Sequence, residues 1–78
     1  MQLEYAVFQE LRRIADSGTF LTYGIRVWRR EGGGKLLLRQ VSDVSVSRPF
    51  VEQIAALCNR YELAPEHLMD VIEDAFGK

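Results

Sequence analysis

The chain has 78 residues, 47% of them hydrophobic and 27% charged, with a formal net charge of −1. That length allows one domain, and so small a core is usually reinforced by disulfides, a metal or a partner subunit. Cys58 is the only cysteine, which excludes an internal disulfide, and Cys58 with His67 falls short of the roughly four ligands of a structural zinc. A homodimer is the reinforcement left.

No run approaches the roughly 20 apolar residues of a membrane span. The start, Met1-Gln2-Leu3-Glu4-Tyr5, has neither the basic residues nor the apolar run of a secretory leader. A cytoplasmic location is therefore expected, in keeping with an unpaired cysteine. The small net charge conceals a split. Residues 1–48 carry eight basic and five acidic side chains, whereas residues 49–78 carry two basic and six acidic. Oppositely charged halves bear on the choice of partner.

Residues 2–14 fit two patterns. Leu3, Val7, Leu11 and Ile14 recur at helical spacing, while Leu3, Tyr5, Val7 and Leu11 fall on one face of a strand. Asp16-Ser17-Gly18 is a turn signal, and a strand–turn–strand hairpin is the simpler account. From Phe20 to Arg30, Leu21, Tyr23, Ile25 and Val27 alternate with Thr22, Gly24, Arg26 and Trp28, a strand rich in aromatic and β-branched residues. Gly32-Gly33-Gly34 break it with a hairpin turn. Lys35 to Val44 is a third strand. A two-residue Gly32-Gly33 loop would set Val27 opposite Leu38 and Trp28 opposite Leu37, although three glycines leave the register open.

Ser47 reads as a helix N-cap with Pro49 in the first turn. Phe50, Ile54, Leu57, Cys58 and Tyr61 then form one apolar face. Pro65 ends any continuation and opens a second helix, with Leu68, Val71, Ile72, Ala75 and Phe76 as its apolar face and Gly77 as its stop. The short Glu62-Leu63-Ala64 connection makes the two helices neighbours.

The stretches Thr22-Tyr23-Gly24-Ile25, Val41-Ser42-Asp43-Val44-Ser45, Leu57-Cys58-Asn59-Arg60 and Leu63-Ala64-Pro65-Glu66-His67-Leu68-Met69-Asp70-Val71-Ile72-Glu73-Asp74 resemble, in this order, a family of short uncharacterised bacterial proteins. Its pattern runs YGI, I-x-DIS, LCN and LSPxHLxDVIED. The resemblance covers roughly residues 20–76, and its long ending is the specific part. This chain departs at Ala64, where the pattern has Ser, removing a hydroxyl cap worth roughly 1 kcal/mol. The resemblance supports the order of elements and implies no activity.

Several groups invite a chemical reading. His67, Asp70 and Asp74 share one side of the second helix, a spacing that can hold a metal or move a proton; an acidic solvated helix accounts for it more simply. Cys58 falls on an apolar face, as a buried thiol does. Gly32-Gly33-Gly34-Lys35 sits between strands, whereas a phosphate loop must open a helix. No catalytic residue, metal or cofactor is expected.

Arg26, Trp28, Arg30 and Arg39 are the candidate interaction face, on the sheet side opposite Leu21, Tyr23, Ile25 and Val27. Ala6, Phe8 and Arg12 join them if the first hairpin closes at Asp16-Ser17-Gly18, and Glu4 is placed to pair with Arg30. Arginines interleaved with aromatics suit single-stranded nucleic acid, but a sequence pI near 5.7 weighs against it. Glu66, Asp70, Glu73 and Asp74 are the candidate acidic face, able to meet a basic sheet in another subunit.

The expected fold is α+β over residues 1–78: a three-stranded antiparallel meander (about 2–45) followed by a two-helix hairpin (about 48–62 and 65–76) packed on one sheet face. The expected core is Leu21, Tyr23, Ile25, Val27, Leu38, Phe50, Ile54, Leu57, Cys58, Leu68, Val71 and Ile72. The expected role is a small protein-interaction or regulatory module without catalysis, associating with itself or a protein partner and not with a membrane. Single-stranded nucleic-acid binding is the alternative.

Overall fold

Alternating apolar residues build the first half of the chain into a sheet. The computed structural model describes residues 2–77; Met1 and Lys78 lie outside the described residues. Three antiparallel strands follow one another in chain order: β1 (Leu3–Ile14), β2 (Gly18–Glu31) and β3 (Gly34–Ser45). Two helices come next, α1 (Arg48–Arg60) and α2 (Leu68–Phe76), the latter led in by a 3-10 turn over Pro65–His67. This is the predicted meander with a helical hairpin on one face.

The two-way reading of residues 2–14 resolves to strand. β1 pairs with β2 from Leu3↔Arg29 to Ile14↔Gly18 without a slip. Tyr5 and Val7 thus lie on the same face as Val27 and Ile25, and all four join the core. Asp16 and Gly18 take positive φ angles of 66° and 89° in the turn, and the Ser17 N–H donates to the Ile14 carbonyl at 3.0 Å.

β3 departs from regular alternation twice. Glu31↔Gly34 and Trp28↔Leu37 follow the register of a two-residue Gly32-Gly33 loop. A bulge then makes Val27 pair with Arg39 instead of Leu38. One extra residue exchanges the faces of everything beyond it. Leu38 is therefore exposed, against its expected place in the core, and Arg39 falls on the helix-covered face.

The second irregularity lies between Tyr23↔Ser45 and Ile25↔Val41, where Asp43 adopts φ 54°. Its neighbours hold it there. The fully buried Thr22 hydroxyl lies 2.6 Å from Asp43 Oδ1 and 3.1 Å from the Ser45 carbonyl oxygen. The Asp43 N–H donates to the Glu10 carboxylate at 3.0 Å. At the same level Gly24 lets two groups close in. A Cβ there would stand 2.8 Å from the Phe8 ring and nearer still to the Val41 carbonyl oxygen.

The helices begin and end as their sequence dictates. Ser47 caps α1, accepting from the Phe50 N–H at 3.4 Å, with Pro49 in the first turn. At its C-terminus Glu62 takes φ 50°, and the N–H groups of Glu62 and Leu63 donate to the Asn59 and Cys58 carbonyls. That closure satisfies the last carbonyls of the helix, with Glu in the left-handed position that Gly usually fills.

The core is Tyr5, Ile25, Val27, Val44, Val51, Ile54, Ala55, Cys58, Leu68 and Ile72. Tyr23, Phe50 and Val71, expected inside, pack against it half-buried. Leu21 and Leu57, also expected inside, are exposed. Leu21 lies where β2 has run past β3, whose pairing stops at Tyr23↔Ser45. Leu57 points away because α1 turns Val51, Ile54, Ala55 and Cys58 to the sheet.

Gly24→Ala should be poorly tolerated, because the groups it would strike are a backbone carbonyl and a ring held in place. Chemical denaturation is expected to show a loss of roughly 2 kcal/mol or more. Gly33→Ala, where a Cβ meets nothing within 4 Å, provides the comparison.

Candidate interaction surface

α1 lies over β1 and β2, and one side chain locks it to the sheet edge. The Tyr5 N–H donates to Asn59 Oδ1 at 2.8 Å, and Asn59 Nδ2 donates to the Tyr5 carbonyl at 2.9 Å. The Tyr5 hydroxyl donates to the Leu63 carbonyl just past the helix. Burial pushes the Tyr5 phenol up to about 12, with Cys58 and Glu66 adding to the shift. Burial also raises the Cys58 thiol, which is not the exposed, activated thiolate of a nucleophile.

The outer side of the helical layer is apolar. Leu57 is 50% exposed, Tyr61 68% and Phe76 55%. Between α1 and α2 runs a cleft of about 230 Å³ lined by Leu57, Cys58, Tyr61, Leu63 and Val71. Past Leu57 and Val71 it continues to Phe50, Ala75 and Asp74, and the Phe50 and Phe76 rings lie 5.0 Å apart, tilted. An apolar surface continuous along two helices is the kind that marks a contact site. Their spacing predicts Leu57 and Tyr61 on the single apolar face of α1. The signal for their true place was excess: Phe50, Val51, Ile54, Ala55, Ala56, Leu57, Cys58 and Tyr61 cover more of the helix than one buried stripe needs.

Glu66, Asp70, Glu73 and Asp74 are all exposed, on the 3-10 turn and α2, and Asp74 lines the cleft beside Gln53. His67 Nδ1 is 3.8 Å from Asp70 Oδ2, and both side chains stand mostly in solvent. Among the described residues no three His, Cys, Asp or Glu side chains are grouped to hold a metal ion, and no helix is long and apolar enough to cross a membrane.

The open sheet face gathers three of its four expected members. Glu4↔Trp28, Ala6↔Arg26 and Phe8↔Gly24 place Ala6, Phe8, Arg26 and Trp28 together, with Arg12 and Arg30 in the same alternation. The Arg26 guanidinium lies 4.1 Å from the centre of the Phe8 ring, and its Nε donates to Gln40 Oε1 at 2.9 Å. Glu4 is 3.2 Å from both Arg30 Nη2 and Lys35 Nζ. The Lys35 hydrogen bond, with the charges of Lys35 and Arg30, holds the Glu4 carboxyl below its ordinary range. Arg39 does not join them. On the helix side of β3, its Nη1 donates to the Pro65 carbonyl at 3.1 Å and ties the sheet to the turn between the helices. The bulge at Leu38 is the reason, since unbulged pairing would have set Arg39 opposite Arg26, where Gln40 stands.

Sheet and helical layer together define a small βββαα domain with an apolar cleft on its helical side and a partly neutralised basic face on its sheet side. Residues 1–78 match a family described as a family of unknown function (DUF6514), and the chain belongs to it. No curated protein and no solved structure matches it.

The Tyr5 phenol predicts an alkaline limit to stability. Its folded pKa of about 12 stands above the ordinary 10.0, so the fold favours the neutral form. That contribution is whole below pH 10 and is lost as pH rises towards 12. Stability should fall across this window with a slope approaching about 1.4 kcal/mol per pH unit. Denaturation curves of wild type and Tyr5→Phe check it, since the variant should lack this component.

Proposed function

We propose that this domain is a non-catalytic protein-interaction module that associates with itself, and that its working surface is the apolar cleft between α1 and α2. The observation that carries the reading is the outward exposure of Leu57, Tyr61 and Phe76 beside that cleft. The sheet-facing side of the helices is already filled by Val51, Ile54, Ala55, Cys58, Leu68 and Ile72. Half or more of the surface of each outer residue therefore stays in water within one copy. Small domains lacking disulfides commonly gain their missing stability from a second subunit.

A nucleic-acid surface on the sheet has weaker support. Phosphate binding needs clustered cations, yet Glu4 engages both Arg30 and Lys35, and Arg39 lies on the other face. An enzymatic reading would rest on His67 and Asp70, whose side chains stand mostly in solvent.

Sedimentation velocity over a range of concentrations tests self-association. The expected outcome is a shift from monomer towards dimer by high micromolar concentration. A single monomeric species across the whole range would overturn the reading.

A further inference from the structure

A second apolar surface lies far along the chain from the cleft. β2 runs past the end of β3, so residues 11–14 and 18–21 form a two-stranded arm. Leu11 and Leu21 face each other across it, 66% and 47% exposed. They continue the row of Val7, Ile25 and Val27 that the helices cover, so they lie on the helix side of the sheet. No helix reaches them. Paired ribbons of this kind are marginal in water unless something packs on them.

Resting on the self-association reading, we propose that the occupant of the cleft is the arm of a second copy, and that the exchange is reciprocal. The arm of each protomer, through Leu11 and Leu21, lies across Leu57 and Tyr61 of its partner. The geometry permits this with one two-fold axis. Each arm extends from the sheet on the side that carries the helices, so the partner's helices sit above it, next to the protomer's own. The two sheets then enclose a shared helical layer, and each arm covers the outer side of the other's helices.

Dimensions and charge agree. The arm spans about four residues per strand, roughly 13 Å at about 3.3 Å per residue. The outer side of α1 from Phe50 to Tyr61 runs about 16 Å at 1.5 Å per residue. Arg13 shares the arm's leucine face, two residues from Leu11, while Asp70, Glu73 and Asp74 belong to the helix that forms one wall of the cleft. Basic meets acidic, as complementary interfaces require. A two-fold contact is made twice, so each patch counts double towards the interface.

The test is complementation between two variants of the full chain. Leu11→Glu/Leu21→Glu alters the arm alone, and Leu57→Glu alters the cleft alone; all three leucines are exposed, and circular dichroism melts check that both variants remain folded. Each is expected to sediment as a monomer where wild type is dimeric. Mixed in equal amounts, they should associate at least tenfold more tightly than either alone, because the mixed dimer keeps one contact with both surfaces intact. Leu37→Glu, on β3, should leave the dimer in place. A mixture no tighter than its components overturns the arm exchange. So does an arm variant that stays dimeric while Leu57→Glu is monomeric, although self-association through the cleft then stands. Loss of the dimer in Leu37→Glu alone would overturn it in favour of β3 edge pairing, and a monomeric wild type would remove the self-association reading itself.

Discussion

Asn59 determines how the helical layer sits on the sheet. Its carboxamide accepts from and donates to the outward N–H and C=O of Tyr5, as a neighbouring strand would. That seals the free edge of β1 at Tyr5 and fixes the rotation of α1 about its own axis. At 3.6 residues per turn, Leu57 and Tyr61 each lie about 200° around the helix from Asn59. With Asn59 turned to the sheet edge, those two side chains are carried towards the outside. The Tyr5 hydroxyl then holds the chain just beyond the helix through the Leu63 carbonyl. Losing any of these bonds would strand a polar group at a partly buried position, at a cost of about 1–3 kcal/mol. The apolar cleft is thus a consequence of a polar clamp on the opposite side of the same helix.

Much of the fold was legible because its signals are local and redundant. Alternation in β2, the Asp16-Ser17-Gly18 turn, the Ser47 cap and Pro65 each specify an element boundary through their own chemistry. The bulge at Leu38 was not legible. Leu36, Leu37 and Leu38 are identical, so either parity leaves a leucine on each face and alternation carries no information there. What settles the register lies elsewhere. Arg39 reaches the Pro65 carbonyl, and the next irregularity is held by Thr22, Glu10 and the left-handed Asp43. Those are long-range partners, which a single strand's pattern does not encode.

The surfaces divided along the same line. Arg26, Trp28 and Arg30 share one sheet face because β1 and β2 pair in unbroken register from a recognisable turn. One bulge sets Arg39 on the other side, and with it goes one of the three arginines of the expected face. Glu4 offsets a further charge, since it faces Arg30 and Lys35 together. Leu57 and Tyr61 were misread for a different reason. A helical wheel finds an apolar arc but not the angle at which the sheet meets it. The arc on α1 is wider than the roughly 100° that one buried face accounts for, and only the position of Asn59 divides it into an inner and an outer part.

The remaining tension lies between the length of the sheet and the length of the helices. β1 and β2 continue well past the start of α1, so the hairpin carries Leu11 and Leu21 beyond any cover the chain itself supplies. Trimming the hairpin would remove that exposure without disturbing Tyr5, Ile25 or Val27, which lie deeper along the strands. In an isolated copy Leu11 and Leu21 keep 66% and 47% of their surface in water, and that part contributes nothing to folding. Leu57 and Tyr61 likewise keep 50% and 68% of their surface in water, since the inner stripe already fills the space above the sheet. Two apolar surfaces idle in the monomer, lying on the same side of one sheet and bordered by opposite charge, are explained together by the proposed reciprocal contact. Each taken separately would need its own partner.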